Sequence, residues 1–294
     1  MGLIGAILGD IAGSRFEFAQ VTPRRKEYNY ELFTDNNKIF AHDLTFTDDT
    51  TMSIACADAC LNKLLFCKPN FAKYYDKWGT KYPDVGYGGA FKQWLYAKKK
   101  RPYGSFGNGS AMRCSFIGEY AKTLKRCDKL ATLSAACTHN HPEGIKGAVV
   151  LAHCVWMAEH GASKEEILKY GIEQYPQPAD EYCGVRCSAH DEDGDKYTYS
   201  PYVPTSKYCD EITYLISCQG SVPVAIRCFY ETNSFEECMY LINSMEVDTD
   251  TIGAIAGAIC HSYYKKCTDN DEELLKRFLP EDMLCVLRKA KAVK

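Results

Sequence analysis

Several things are missing from this 294-residue sequence. No apolar run approaches the roughly 18 residues that a spanning helix needs, which argues against an integral membrane protein. Neither sign of charge dominates: 35 Lys and Arg face 38 Asp and Glu, a net −3. Nothing overall therefore drives the chain towards nucleic acid, and none is expected as a partner, although a local basic groove stays open. The 16 cysteines contain no Cys-x-x-Cys pair. The apolar start MGLIGAILGD has no basic n-region and runs straight into Asp10, unlike a secretion signal. It also lacks the Ser or Thr of a myristoylation signal. The expectation is a reduced cytoplasmic protein in which Cys56, Cys60, Cys154 and Cys260 pack as small hydrophobes on helices.

What is present suffices for a core: 46% of residues are apolar and 25% charged, and the length suits one large domain or two small ones. Helical periodicity dominates. After Asp48-Asp49-Thr50, apolar residues recur at Met52, Ala55, Cys56, Ala59, Cys60 and Leu64. Pro142 stands where a first helical residue belongs, followed by Ile145, Ala148, Val149, Ala152 and Trp156. Ser163–Glu166 and Ser234–Glu237 read as capping boxes, and Pro223 reads as another helix start. Ile252, Ile255, Ala256, Ile259 and Tyr263 form a last stripe, with Gly253 and Gly257 one turn apart as close helix packing requires. Tyr28 to Phe33 alternates weakly, and strand signals are otherwise scarce. The pattern predicts an all-α domain of roughly ten or more helices.

Two stretches lack periodicity, 18–44 and 176–208, and the second is long enough to suggest a functional lid or an exposed excursion. Its acid run from Asp191 resembles a calcium loop, but Gly194 comes too early and Tyr202 replaces the closing glutamate. Cys183, Cys187, His190 and Cys209 could be drawn as a zinc site, although their spacing fits no common template.

Four motifs carry candidate chemistry. Thr47-Asp48-Asp49-Thr50 and Asp248-Thr249-Asp250-Thr251 each directly precede a helix. Capping explains either one alone, yet one carboxylate suffices for a cap and each start has two. If the starts converge, four carboxylates repel unless cations neutralise them. Two divalent ions would do so, and oxygen-only ligands suit Mg²⁺, Mn²⁺ or Ca²⁺ rather than zinc. Gly104 to Arg113 (GSFGNGSAMR) could bring backbone N–H groups close to a phosphate, with a following helix start adding its dipole, or could simply be a tight turn. Thr138-His139-Asn140-His141-Pro142 places two histidines in a loop just ahead of a helix, which favours ligand contact.

Together, GAILGDIAGSRFEF, FTDDTTM, SFGNGSAMR, THNHPEGIKGA and VDTDTIGAIAGAI, in that order, resemble the ADP-ribosylglycohydrolase family over residues 1–268. The remaining residues 269–294 read as a C-terminal helical extension of the same domain. The resemblance implies a single compact, orthogonal multi-helix bundle with two Mg²⁺ ions (or Mn²⁺) in a cleft. It implies metal ligation by Thr47, Asp48, Asp49, Asp248, Asp250 and Thr251, with Asp250 bridging the ions. It places Glu17 beside the scissile bond, so that Glu17, Asp49 and Asp250 are the candidate catalytic carboxylates. It assigns Ser105, Phe106, Gly107, Asn108, Gly109 and Ser110 to a loop cradling a diphosphate, and His139 to the distal part of ADP-ribose. Phe106 stands where some relatives carry tyrosine. Glu246 and Val247 replace the small residues usual before the second acidic motif, adding bulk and a negative charge.

The implied reaction is hydrolysis of the bond between ADP-ribose and an acceptor, which is an arginine or serine side chain of a protein, O-acetyl-ADP-ribose or poly-ADP-ribose. Glu17 tilts the reading towards O-linked substrates. The alternatives are a non-catalytic ADP-ribose reader or structural relative, and a two-metal phosphohydrolase that splits the pyrophosphate.

Overall fold

In the computed structural model, the described residues are 1–14, 16, 39–40, 44–62, 70–176, 201, 204–205, 216–245 and 247–293. Their regular elements are helices: α1 (Gly2–Gly13), α2 (Asp48–Leu61), α3 (Phe71–Lys81), α4 (Gly89–Tyr96), α5 (Ser115–Tyr120), α6 (Leu124–Ala136), α7 (Pro142–Glu159), α8 (Lys164–Gln174), α9 (Cys218–Glu231), α10 (Phe235–Asn243), α11 (Thr249–Tyr264), α12 (Asp271–Phe278) and α13 (Glu281–Ala292). Among the described residues the β-type pairing is an isolated antiparallel bridge between Gly107 and Ser217. The expected all-α class is therefore observed. No helix among these residues is long and apolar enough to cross a membrane. The weak strand at Tyr28–Phe33, the Asp191 acid run and the group Cys183, Cys187, His190 and Cys209 lie outside the described residues.

Local chemistry sets most helix starts. Thr47 caps α2 by accepting the Asp49 N–H, and Pro142 occupies the first turn of α7, where its missing N–H costs nothing. Ser163 and Glu166 form a reciprocal capping box on α8. The Ser234 pair is half of one: Ser234 Oγ accepts the Glu237 N–H at 3.0 Å, but the Glu237 carboxylate reaches the Asn233 N–H instead. Pro223 does not start a helix. α9 begins at Cys218 under a Ser217 cap and carries Pro223 inside. The Ser217 cap, six residues upstream, outweighs the proline signal because its hydroxyl accepts the Gly220 N–H, which would otherwise be orphaned.

The centre of the molecule is the pairing of α1 with α11. Every residue of α1 is buried, as befits a helix apolar all round. A Cβ added to Gly5 would stand 2.0 Å from the Gly257 oxygen, and one on Gly9 2.0 Å from the Gly253 oxygen. Gly13 meets Thr249 in the same way, its hypothetical Cβ 2.2 Å from the Thr249 oxygen. The order of these contacts makes the two helices antiparallel, with backbones touching where glycine leaves no side chain between them. α7, α9 and α10 pack around α11. Phe40 stacks on Phe235 of α10, ring centroids 6.4 Å apart, and meets Phe278 of α12 at a tilt, 6.3 Å away. The cysteines of the described residues are free thiols and ten of them are buried, where they behave as the small hydrophobes their helical spacing predicts.

Candidate active site

The site begins with a carboxylate that periodicity alone does not single out. Asp10 is the one acidic residue of α1 and is fully buried. It accepts the Thr47 N–H at 3.0 Å, the Thr47 hydroxyl at 2.8 Å and the Thr50 N–H at 3.0 Å. Burial pushes its carboxyl up to about 6, against the hydrogen bonds from Thr50 and Thr47 that pull it down. Asp10 thus serves as an acceptor for the orphan N–H groups at the start of α2 and holds the first acidic motif against α1. A lone aspartate within the glycine-rich apolar run GLIGAILGDIAG was the available signal.

The second motif arrives through the α1–α11 contact. Thr249 Oγ1 donates to the Gly13 oxygen at 2.9 Å, seating the start of α11 on the end of α1. Beside it, Thr251 Oγ1 donates to Asp49 Oδ2 at 3.3 Å, joining positions 202 residues apart. Thr47 Oγ1 approaches the same Asp49 oxygen at 3.4 Å. The Asp250 carboxylate accepts the Thr251 N–H at 2.8 Å. Asp248 accepts the Asn108 side-chain amide at 2.7 Å, and that amide also donates to Ser221 Oγ at 2.9 Å. Asp48 is half-buried beside Gly86, whose hypothetical Cβ would lie 3.6 Å from Asp48 Oδ1. Asp49 and Asp250 are each 2% exposed.

Two helix starts and the glycine-rich loop therefore meet. Their donors (Thr47, Asp48, Asp49, Asp248, Asp250 and Thr251) are all hard oxygen atoms, which fits Mg²⁺ or Mn²⁺ and not a thiophilic ion. Hydroxyls stand between the carboxylates, an arrangement that eases like-charge repulsion. Among the described residues, the histidine, cysteine and acidic donors that gather three together within 4.8 Å lie elsewhere, at His261, Cys267 and Asp271. There the Asp271 carboxylate already accepts the N–H groups of Cys267 and Thr268 and the Thr268 hydroxyl, so the trio closes a turn between α11 and α12.

The glycine-rich loop is held from behind. Asn108 N–H donates to the Ile216 oxygen and Cys218 N–H to the Phe106 oxygen, both at 2.9 Å. Ser110 Oγ is buried and donates to the Gly144 oxygen at 2.7 Å, so it braces the loop against α7. Ser105 Oγ accepts the Gly107 N–H at 3.1 Å. A short 3-10 turn, Asn108–Ser110, follows, and α5 begins only at Ser115. The expected helix start directly behind the glycines is thus a single 3-10 turn, with little dipole to offer.

The two histidines separate in role. His141 Nδ1 accepts the Glu143 N–H at 3.2 Å as the cap of α7, and its ring meets Phe106 at 5.3 Å. His139 is 5% exposed. Its Nε2 edge lies against the loop, 3.2 Å from where a Gly109 Cβ would be and 3.7 Å from that of Gly107. Burial and the Arg113 charge hold His139 well below the usual imidazole range, so the ring is neutral. Glu17 and Glu246 lie outside the described residues, whereas Val247 is buried.

Buried oxygen donors at two converging helix starts, faced by a glycine loop and a neutral histidine, define an all-helical protein with a carboxylate-lined centre. Comparison with known proteins narrows this class. The ADP-ribosylglycohydrolase profile matches residues 1–265. ADP-ribosylhydrolase ARH3 of Mus musculus is 29% identical over 308 aligned positions, covering 89% of this chain and 82% of the relative. ARH3 of Homo sapiens is 28% identical, with 89% and 84% covered. A solved structure described as an ADP-ribosylglycohydrolase-related protein complex shares the fold, with a TM-score of 0.63 at 22% identity over 98% of both chains. The chain belongs to the ADP-ribosylglycohydrolase family and is a hydrolase of ADP-ribosyl glycosidic bonds.

Proposed function

We propose that this enzyme cleaves the bond between the anomeric carbon of the distal ribose and an acceptor side chain, with two divalent cations, Mg²⁺ or Mn²⁺, as cofactors. The observation that supports this most is the Thr251–Asp49 contact at 3.3 Å, which brings the two acidic motifs to one place. Thr47, Asp48, Asp49, Asp248, Asp250 and Thr251 would hold the ions. Bound there, the cations would supply Lewis acidity, orienting ribose hydroxyls and making water easier to deprotonate.

The chain's own residues do the rest. Ser105 to Ser110 place the diphosphate, with Phe106 offering an aromatic face. His139 faces the same loop and contacts the ADP-ribosyl group. Water adds to the anomeric carbon as the glycosidic bond breaks through an oxocarbenium-like transition state, and the proton passes to the departing oxygen or nitrogen. Glu17, or one of the metal-holding carboxylates Asp49 and Asp250, would manage that proton, for which general acid–base catalysis is worth about 10²- to 10⁴-fold. The acceptor we favour is an O-linked one such as serine, on the strength of Glu17 in SRFE. An ADP-ribosylated protein is then the partner, with O-acetyl-ADP-ribose as a small-molecule substrate of the same linkage.

Mass spectrometry of products from serine- and arginine-linked ADP-ribosyl peptides, with and without Mg²⁺, tests the reading. Free ADP-ribose and unmodified serine peptide, only with the metal, are expected. Release of AMP would mean pyrophosphate cleavage, and equal turnover in chelator would remove the cations from the reaction.

A further inference from the structure

Arg113 is 1% exposed, yet among the described residues no carboxylate forms an ion pair with it. Its guanidinium lies over the Tyr75 ring, 4.1 Å from the centroid, and Nη2 donates to the Ser134 oxygen at 3.0 Å and to Thr138 Oγ1 at 2.7 Å. Thr138 Oγ1 in turn lies 2.8 Å from His139 Nδ1. Arginine has donors only, so Thr138 must accept from it.

The remaining question is where the Thr138 hydroxyl proton goes. Two atoms are available, His139 Nδ1 at 2.8 Å and the Ala135 oxygen at 3.4 Å. The Ala135 oxygen already takes the Thr138 N–H at 3.0 Å and the His139 N–H at 2.8 Å. A carbonyl has two lone pairs, so both are used. The proton therefore points at His139 Nδ1, which must be unprotonated, and a neutral imidazole then carries its hydrogen on Nε2. Among the described residues no protein group hydrogen-bonds Nε2, which faces the space left beside Gly107 and Gly109.

We propose that Arg113 is a positioning residue: through Thr138 it fixes His139 as the Nε2–H tautomer, a neutral donor aimed at an acceptor oxygen of the ADP-ribosyl group in the glycine loop. The tautomer follows from the hydrogen bonds alone, and only the identity of the ligand rests on the function proposed above.

The test combines a spectrum with a titration. Long-range ¹H–¹⁵N spectra of histidine-labelled protein, with His139 assigned by its loss in His139→Gln, report the tautomer in the unliganded enzyme. Calorimetry with free ADP-ribose in Mg²⁺ buffer reports binding. The wild type should show the Nε2–H form. Thr138→Val should mix in the Nδ1–H form and weaken ADP-ribose roughly tenfold, the loss of one oriented hydrogen bond. Thr138→Ser should restore both. An Nδ1–H wild type overturns the proposal, as does Thr138→Val binding at wild-type affinity or Thr138→Ser failing as badly as valine. If Thr138→Val does not fold, the wild-type spectrum and the serine variant decide. A wild type with the Nε2–H form that binds no ADP-ribose would overturn the proposed ligand and leave the relay standing.

Discussion

Asp10 receives both the hydroxyl and the N–H of Thr47, at 2.8 and 3.0 Å, although the two stand 37 residues apart. With the Thr50 N–H at 3.0 Å as a third donor, the first acidic motif hangs from the helix that the second motif's helix packs against. This buried carboxylate holds the first motif in place, while the Thr249 hydroxyl on the Gly13 oxygen seats the second.

Asp10→Ala would leave those three buried donors without their acceptor. Each such loss costs about 1–3 kcal/mol, so urea unfolding should show a deficit of at least about 3 kcal/mol, together with loss of hydrolysis. An unchanged urea midpoint would remove Asp10 from its anchoring role.

Asp250, 2% exposed at the start of α11, is one of the six residues proposed to hold the cations. Ions that bind only the folded state stabilise it by about 2.7 kcal/mol at a hundredfold excess over Kd, so Mg²⁺ should raise the wild-type Tm by several degrees. In Asp250→Ala, differential scanning should find no Mg²⁺ response and the product assay no turnover. A metal response as large as the wild type's would sink the assignment of Asp250 as a ligand.

The glycine contact between α1 and α11 leaves no room for a methyl group. In Gly9→Ala the new Cβ would sit 2.0 Å from the Gly253 oxygen, and the backbone must move at a cost of about 3 kcal/mol or more. Gly89→Ala, in α4 with nothing within 4 Å of its Cβ, should be neutral or slightly stabilising, because alanine restricts the unfolded chain. Paired denaturation curves of the two variants measure the difference.

Asp271 supplies a pH dependence away from the active site. Burial tends to raise its carboxyl, but His261, the N–H groups of Cys267 and Thr268, and the Thr268 hydroxyl together hold it down at about 2. Between that value and the ordinary 3.8, the unfolded chain binds more protons than the folded one, so stability rises with pH across that window. The contribution is complete above about pH 4 and lost as pH falls through about 2. Asp271→Asn should therefore be less stable than wild type near neutrality, by about 1–2 kcal/mol, with the gap closing in acid. A gap that stays constant down to pH 2 would rule out this origin.

Which parts of this architecture were legible in the chain depends on the range of the interactions involved. The capping box at Ser163–Glu166 and the proline at the start of α7 are read within four residues, and the structure reproduces both. Pro223 misleads because the deciding group, the Ser217 cap, belongs to the turn before it. His139 and His141 look equivalent in sequence, yet one caps a helix and the other faces the glycine loop, since the orientation of α7 assigns them. The weight carried by Asp10 and Arg113 could not be read either, because a buried charge is defined by partners 37 and 25 residues away.

The sequence by itself determined the helical class, most helix starts, and the acidic, glycine and histidine groups from which the site is made. These rest on periodicity, capping and side-chain chemistry, all of which act over a few residues. Only the tertiary structure decided that Asp49 and Thr251 touch and that the His139 ring turns its Nε2 edge to the loop. Such contacts follow from the close approach of α1 and α11 and from which lone pairs are already taken, and no local pattern encodes the distance between remote segments.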